Sequence, residues 1–307
     1  MTLIRTIETD YEKLDLTNDF MFGKVMQDER NCIDMLERLT GNQIDSVTTV
    51  VNQKMLQVTS DSKGIRYDIY VEDQRDRVYD TEMQNISSSS DAVTLSKRAR
   101  AYQSMIDLNL LEVGGDYAKL KQSYVIFICT FDPFGLGYSC YAFENICKEP
   151  SDLKLFDERT ILFFNTKGRY INVTKEAEGF LNYLETREVS DDYTGRLDAA
   201  VSYARHNKEW RVEYMKTYFH DLDVKKEGIA IGLKQGLAEG ISQGELTVLI
   251  KMVQKKLSRG MALADIADDL EESVESVKHI VEAIVACGDG ATVDEVYKIL
   301  QGGMKDV

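Results

Sequence analysis

Acidic and amide side chains alternate along two neighbouring strand-like segments between residues 64 and 86. The first segment, GIRYDIYVED, carries Asp68 among apolar residues. Side chains in a strand alternate between its two faces, so Asp68 is expected to point away from Ile65, Tyr67, Ile69 and Val71. The second segment, VYDTEMQN, places three polar side chains on one face: Asp80, Glu82 and Gln84. The Gln-Arg-Asp-Arg link between the segments is interpreted as a hairpin turn.

Carboxylates at the middle of two adjacent strands can hold one hard divalent cation. Asp68 and Glu82 are the predicted metal ligands, and Asp80 is a weaker candidate. Mg²⁺ (or Mn²⁺) suits such a pair, because it prefers oxygen ligands and keeps water molecules, one of which can attack a phosphodiester. The same alternation is also typical of an ordinary half-exposed hairpin whose polar face meets water. Spacing alone does not distinguish the two interpretations.

The elements around this hairpin form an ordered series. Residues 18–40 are predicted as one amphipathic helix that ends at Gly41, followed by a strand near 44–51. After the hairpin, a helix at about 91–111 begins at the serine-rich run and Asp91, and the apolar segment YVIFICTF predicts a strand at 124–131. The predicted order is therefore α-β-β-β-α-β.

This order and the strings NDFMFGKVM, GIRYDIYV, YDTEMQN and KRARAYQSMI resemble the PD-(D/E)xK nuclease family transposases, related to the recombination-promoting nucleases. The resemblance covers roughly residues 15 to 300. It implies a restriction-endonuclease-like α/β core followed by a helical C-terminal region. It also implies a Mg²⁺-dependent DNA endonuclease of transposase ancestry, with DNA as its partner. A catalytically inactive protein that keeps this fold as an interaction and oligomerisation module is the alternative.

The resemblance assigns the catalytic residues of the motif. Asp68 corresponds to the D, Glu82 to the D/E, and Gln84 to the position where most of the superfamily has lysine. Lysine would act there as a cation, whereas glutamine offers only neutral hydrogen bonds. This branch is expected to have glutamine at that position. By resemblance, Asp19 on the first helix is a further candidate for the acidic pocket.

The helix after the hairpin carries a basic cluster. Arg98 and Tyr102 lie four residues apart and share one helix face, where they are candidate DNA phosphate contacts. Alternatively, Lys97, Arg98 and Arg100 balance nearby acidic residues such as Asp91 on a solvated face.

Composition limits the class of protein. The chain has 307 residues, a hydrophobic content of 43% and no apolar run long enough to span a membrane. Its opening, MTLIRTIETD, lacks the features of a secretion signal, and its five scattered cysteines are typical of reduced cytoplasmic thiols. The net charge of -15 opposes DNA binding, although a local basic groove can operate on an acidic body.

The remainder of the chain is predicted to be mostly helical. The runs YSCYAF and TILFFNT are predicted to extend the sheet edge, with helices at 175–187 and about 191–222. We expect a nuclease-like domain at 1–222, a glycine-ridged helix at 223–257 and a small helix-turn-helix-like domain at 258–307. The tail from about 246 to 301 is predicted to have helices at 246–257, 263–270 and 273–287. Because Glu275 lies where base contacts are usual, protein docking is favoured there over DNA recognition.

Glycine recurs at every fourth position from Gly228 to Gly244. The interleaved isoleucine, leucine and alanine favour a helix over a flexible linker. Residues four apart lie along one helix face, so this glycine ridge would allow a second backbone to approach closely. The ridge predicts a homo-oligomer.

Overall fold

The computed structural model of the protein describes residues 10–56, 65–85, 92–111, 115–288 and 290–303. Its strands are β1 (Val47–Leu56), β2 (Ile65–Asp73), β3 (Val78–Gln84), β4 (Ser123–Cys129), β5 (Cys140–Phe143) and β6 (Arg159–Asn165). Its longer helices are α1 (Asp19–Val25), α2 (Glu29–Thr40), α3 (Ala92–Leu110), α4 (Lys175–Thr186), α5 (Asp192–His206), α6 (Lys208–Leu257), α7 (Leu263–Asp269), α8 (Val274–Cys287) and α9 (Val293–Gly303). A short 3₁₀ helix, Tyr117–Lys119, precedes β4.

The strands form one mixed sheet in the order β1-β2-β3-β4-β6-β5. The predicted hairpin is present, because β2 pairs antiparallel with β3. Strands β3, β4 and β6 are parallel, and their register places Gln84, Cys129 and Asn165 side by side at the carboxyl ends. The prediction that YSCYAF and TILFFNT extend the sheet edge is confirmed by β5 and β6.

Helices cover both faces of the sheet. On one face, α1, α2, α4 and α5 pack against alternate strand residues such as Ile69, Val71 and Ile126. On the other face, α3 packs against Tyr70, Val125 and Phe127. Strand β4 is buried along its whole length, as its continuous apolar run requires. The β2–β3 hairpin is thus held beside a buried central strand.

The single helix predicted for residues 18–40 is wrong, because two helices occupy this segment. Helix α1 ends at Val25, and Asp28 begins α2 by accepting a hydrogen bond from the backbone N–H of Asn31. An N-cap side chain in the middle of an apolar periodicity stabilises a helix start there. Gly41 ends α2 with a φ of 72°, as predicted.

The predicted helix at 191–222 is also interrupted. Asn207 separates α5 from α6, and its side chain accepts hydrogen bonds from the backbone N–H groups of Glu209 and Trp210. Helix α6 then continues to Leu257, so the glycine-ridged segment and the predicted helix at 246–257 belong to one helix. The prediction that the glycine segment is helical is confirmed.

Contacts divide the chain into two compact units, Met1–Thr217 and Tyr218–Val307, with the boundary inside α6. In the second unit, the end of α6 and helices α7, α8 and α9 share a small core that includes Ile250, Ile266, Ile280 and Val296. Ser273 caps α8 as predicted. The sequence prediction did not include α9, whose apolar residues complete this core.

The cysteines Cys32, Cys129, Cys140, Cys147 and Cys287 are all free thiols. Among the described residues, the helices include none that is both long and apolar enough to cross a membrane.

Candidate functional site

Strands β2 and β3 separate where the two predicted metal ligands face each other. Their pairing is regular from Glu72↔Val78 to Ile69↔Thr81, and the next opposed residues are Asp68 and Glu82. At this point the backbone N–H groups donate to side-chain carboxylates of the opposite strand instead of to its backbone carbonyls. The Asp68 N–H donates to Glu82 Oε1 at 2.9 Å, and the Met83 N–H donates to Asp68 Oδ2 at 3.2 Å. Both carboxylates therefore lie in the gap between the parted strands.

Tyr67 lies on the α3 side of the sheet, in the same cluster as Tyr70 and Tyr102. The sequence prediction placed Tyr67 with Ile69 and Val71, and this is wrong. Its hydroxyl donates to the Tyr102 carbonyl of α3 at 3.0 Å, and its ring packs 5.2 Å from the Tyr102 ring. Pairing with β3 ends at Ile69, whereas β2 stays paired with β1 at Tyr67.

The acidic cluster is buried, and burial disfavours the charged form of its carboxyl groups. Glu82 is 2% exposed and Asp80 is fully buried, whereas Asp68 is partly exposed. Burial raises the pKa of Glu82 to about 8, and the charge of Asp68 adds to the shift. Burial also raises the pKa of Asp80, with further contributions from Glu82 and Asp68. Neither carboxylate oxygen of Asp80 has a hydrogen-bond partner among the described residues.

Arg98 brings a positive charge from α3 to this cluster. Its guanidinium donates to Gln84 Oε1 at 2.9 Å, to Glu82 Oε2 at 3.2 Å and to the Tyr102 hydroxyl at 3.0 Å. It also lies 5.6 Å from the centre of the Phe127 ring. Arg98 is therefore part of the candidate site, whereas Lys97 and Arg100 are exposed on the same helix.

Arg98 also fixes the orientation of the Gln84 amide. A guanidinium only donates hydrogen bonds, so Gln84 must turn its carbonyl oxygen toward Arg98. The Gln84 N–H₂ group then faces away from Arg98 and can donate to another group. Asp80, Glu82 and Gln84 share one strand face as predicted, and α3 covers that face.

The amino-terminal segment reaches the same end of β3. The Asn85 side-chain amide donates to the carbonyl of Thr17, just before α1 begins at Asp19. Asp19 is exposed, and its role in the acidic pocket stays a prediction. The serine-rich run and Asp91, which were predicted to begin α3, lie outside the described residues.

Comparison with protein families gives a match to the sequence model of the PD-(D/E)XK nuclease family transposases over residues 15–176. This match covers more than half of the 307 residues. The chain belongs to this family. Comparison with curated proteins and with solved structures found no match.

Membership of the PD-(D/E)XK family agrees with the architecture. The predicted α/β core in the order α-β-β-β-α-β, followed by a helical C-terminal region, is confirmed. The matched region contains the hairpin, α3 and all strands of the sheet. Beyond residue 176, the resemblance proposed from the sequence stays a prediction.

The donor atoms at the site fit the divalent cation that PD-(D/E)XK nucleases use. Carboxylate oxygens are the ligands that hard cations prefer, and Mg²⁺ is commonly held by one or two carboxylates together with water and substrate phosphate. A cation between Asp68 and Glu82 would also neutralise charge that burial makes costly. Within the described ranges, no three acidic, histidine or cysteine side chains converge in a metal-binding geometry. The candidate centre is the pair of facing carboxylates Asp68 and Glu82.

Sequence reasoning found the candidate residues but not their contacts. It did not predict that Asp68 and Glu82 would accept hydrogen bonds from the backbone across the hairpin. The sequence did contain a signal of an unusual arrangement at this point. A hairpin register that puts two carboxylates directly opposite each other brings like charges together. It also left open whether Arg98 belongs to the site, since a helix face alone does not specify its partner.

We expect the metal-free protein to lose stability as the pH rises from about 5 to 8. The folded-state pKa of Glu82, about 8, lies above its ordinary value of 4.5, so between these values the folded state binds more protons than the unfolded state. Its free energy of unfolding therefore falls as the pH rises through this window. Glu82→Gln should lessen this decline in urea unfolding measured with EDTA at several pH values, and the contribution of Asp80, whose pKa burial also raises, should remain.

Asp76→Asn is the matched control for this prediction, because Asp76 is an exposed carboxylate at the turn of the same hairpin. It should keep the parent's pH dependence. A constant stability difference between the parent and Glu82→Gln from pH 5 to pH 8 would contradict the raised pKa. Because Asp80 and Glu82 interact, the measured decline belongs to the pair.

Proposed function

We propose that the protein is a Mg²⁺-dependent DNA endonuclease that hydrolyses phosphodiester bonds. The observation that carries this proposal is the facing pair Asp68 and Glu82, held in the gap between β2 and β3 with Arg98 and Gln84 beside it. Family membership supports a nuclease hydrolase in general. The geometry supports the specific assignment of residues.

Asp68 and Glu82 would hold the cation, for which Mg²⁺ or Mn²⁺ is suited. When bound, the cation supplies a water of lowered pKa and polarises the scissile phosphate. The hairpin contributes rigidity, because each carboxylate is oriented by a backbone N–H of the opposite strand. Preoriented ligands lose little conformational entropy when they bind.

Gln84 and Arg98 would act on the phosphate. The Gln84 N–H₂ group, turned away from Arg98, can donate to the attacking water or to a phosphate oxygen. Arg98 would supply the positive charge that the motif lysine provides in most of the superfamily. Tyr102 positions Arg98 through its hydroxyl and ring, and a direct contact with phosphate is a weaker proposal.

The most direct test is nicking of supercoiled plasmid DNA by the purified full-length protein. With Mg²⁺ or Mn²⁺ we expect conversion to the open-circular form, and with EDTA we expect none. Ca²⁺ should bind the carboxylates but support little cleavage. An absence of nicking with Mg²⁺ and with Mn²⁺, on both single-stranded and duplex DNA, would contradict the proposal.

An interaction protein without catalytic activity is the second candidate function, and an exposed apolar face on α6 favours it. Ile229, Leu233, Leu237 and Ile241 are each more than half exposed. A thermal-shift measurement separates the candidates. Stabilisation by Mg²⁺ that Asp68→Asn abolishes supports the enzyme, whereas no stabilisation supports the interaction module.

The same face supports self-association through the glycine ridge, Gly228 to Gly244. A Cβ atom added at any of its five glycines would meet nothing within 4 Å among the described residues. Each of the four apolar residues directly follows a ridge glycine, so an open ridge runs beside an exposed apolar row. Interior glycine costs a helix up to about 1 kcal/mol per residue, and close packing of a second copy would offset this cost.

Replacing Gly232, Gly236 and Gly240 together by leucine should convert an oligomer into a monomer. The leucine side chains would fill the ridge and prevent close backbone approach, although they raise helix propensity. Sedimentation velocity over a concentration series would measure the change. Leucine at Ala230, Ala238 and Ser242, on the opposite helix face, is the matched control and should leave the oligomer intact. A parent protein that sediments as a monomer would refute ridge association.

A further inference from the structure

Two exposed tyrosines form a pair on the surface of the first unit. Tyr138 is 44% exposed and Tyr170 is 58% exposed. Their ring centres lie 5.4 Å apart with an angle of 44° between the planes, and Tyr138 also packs against Tyr141. Neighbouring exposed rings of this kind offer flat apolar faces to a ligand.

The pair lies at the same edge of the sheet as the candidate site. Tyr138 follows β4 and Tyr170 follows β6, and both strands run parallel to β3. Their carboxyl ends are in register with Gln84, and β6 lies two strand spacings, roughly 10 Å, from β3. A strand of nucleic acid that leaves the candidate site along this edge would pass over the pair.

A row of packed aromatic rings connects the candidate site with the tyrosine pair. Arg98 lies over the Phe127 ring, and successive ring contacts of 4.9 to 5.9 Å lead from there to the exposed pair through Phe163, Phe134 and Tyr141. The tyrosine pair is therefore the exposed end of a packed aromatic layer that begins beneath the site.

Backbone contacts hold the pair rigidly. Tyr138 and Tyr170 form a parallel β-bridge, in which the Tyr170 N–H donates to the Gly137 carbonyl at 2.8 Å and the Ser139 N–H donates to the Tyr170 carbonyl at 3.1 Å. A Cβ atom at Gly168 would lie only 2.5 Å from the Cα of Ser139, so only glycine allows the backbone at 168 to approach Ser139 this closely. A preorganised surface loses little entropy on binding.

Both signs of charge lie beside the pair: the Asp132 carboxylate accepts hydrogen bonds from the Gly137 N–H and the Tyr141 hydroxyl, and two cations lie nearby. The Arg169 guanidinium lies against Gly137, with Nε 3.3 Å from where a Cβ would stand, and no ion pair involves Arg169 among the described residues. Lys167 lies in the same turn and is 3.8 Å from Glu185. A cation next to exposed aromatic faces is the arrangement that binds a phosphate and stacks the attached base.

We propose that Tyr138, Tyr170 and Arg169 bind unpaired nucleotides of the DNA strand next to the cleaved bond. This inference deepens the proposed nuclease function and rests on it for the identity of the ligand. It gives the protein a preference for DNA with a single-stranded segment, because the bases of an intact duplex cannot stack on these rings.

Fluorescence anisotropy with labelled oligo(dT) and a duplex of equal length, both in EDTA, tests the proposal. Tyr138→Leu and Tyr170→Leu should each weaken binding of oligo(dT) by about 10-fold and leave duplex binding nearly unchanged. Phenylalanine at either position should retain the affinity, since it keeps the aromatic face. Because no metal is present, the result does not depend on cleavage, and a protein that never cuts DNA can still pass this test.

Tyr117→Leu is the matched control. Tyr117 is 76% exposed but lies before β4, at the opposite end of that strand, and its loss should not change binding. Parent-like affinity of a Tyr138→Leu/Tyr170→Leu variant for oligo(dT) would overturn the proposal, as would an equal loss for duplex. A parent protein without measurable affinity for oligo(dT) would also overturn it.

Discussion

Asp68→Asn and Glu82→Gln should each reduce Mg²⁺-dependent DNA cleavage by at least about 1000-fold. Each change removes one of two anionic ligands from the candidate centre, and the cation contributes several kcal/mol of transition-state stabilisation. The two residues act as a unit, so the double variant should be hardly slower than either single variant. Plasmid nicking rates at saturating Mg²⁺ would measure these effects.

The amide replacements are better tests than alanine because the carboxylates also have a structural role. Asp68 accepts the Met83 N–H and Glu82 accepts the Asp68 N–H. An asparagine or glutamine oxygen can keep these hydrogen bonds, whereas alanine leaves the donors unpaired at a cost of about 1–3 kcal/mol each. We therefore expect the alanine variants to lose stability as well as activity.

Asp76→Asn removes one negative charge from the exposed turn of the same hairpin and should cut DNA at the parent rate. Isothermal titration with Mn²⁺ provides a readout that does not depend on catalysis, and both site variants should bind the ion more weakly. If Asp68→Asn and Glu82→Gln nick DNA as fast as the parent, the active site lies elsewhere in the molecule.

Gln84→Ala should slow cleavage by about 100-fold, the effect of losing one well-placed hydrogen-bond donor. Gln84→Glu distinguishes the two functions of this side chain. It keeps an oxygen for Arg98 but has no N–H₂ group, so it should be as slow as Gln84→Ala if donation matters. Single-turnover cleavage rates would separate this effect from substrate binding.

Gln84→Lys restores the residue of most of the superfamily but places a second cation against Arg98, whose guanidinium lies 2.9 Å from the Gln84 oxygen. We expect DNA cleavage by this single variant to be impaired. The exchange Gln84→Lys/Arg98→Gln should recover activity, because the site then again contains a single cationic side chain. Unchanged turnover in Gln84→Ala would reduce Gln84 to a surface residue. Failure of the exchange would argue that Arg98 does not replace the motif lysine.

The sequence by itself determined the order of the core strands along the chain and the candidates for chemistry. Strand alternation has a period of two residues, so it placed Asp80, Glu82 and Gln84 on one face before any fold was known. The four-residue spacing of the glycines likewise predicted one helix face, and α6 has that form. These properties depend on neighbours along the chain, which the sequence lists directly.

Only the tertiary structure decided which groups meet. The sequence around Arg98 was equally compatible with a solvent-exposed side chain. The packing of α3 on the sheet directs this side chain to Glu82 and Gln84. Tyr67 lies on the α3 side of the sheet, where its hydroxyl donates to the Tyr102 carbonyl of that helix. Tyr138 precedes β5 and Tyr170 follows β6, and the two adjoin because β5 pairs antiparallel with β6. Such contacts depend on long-range packing, for which sequence periodicity carries no signal.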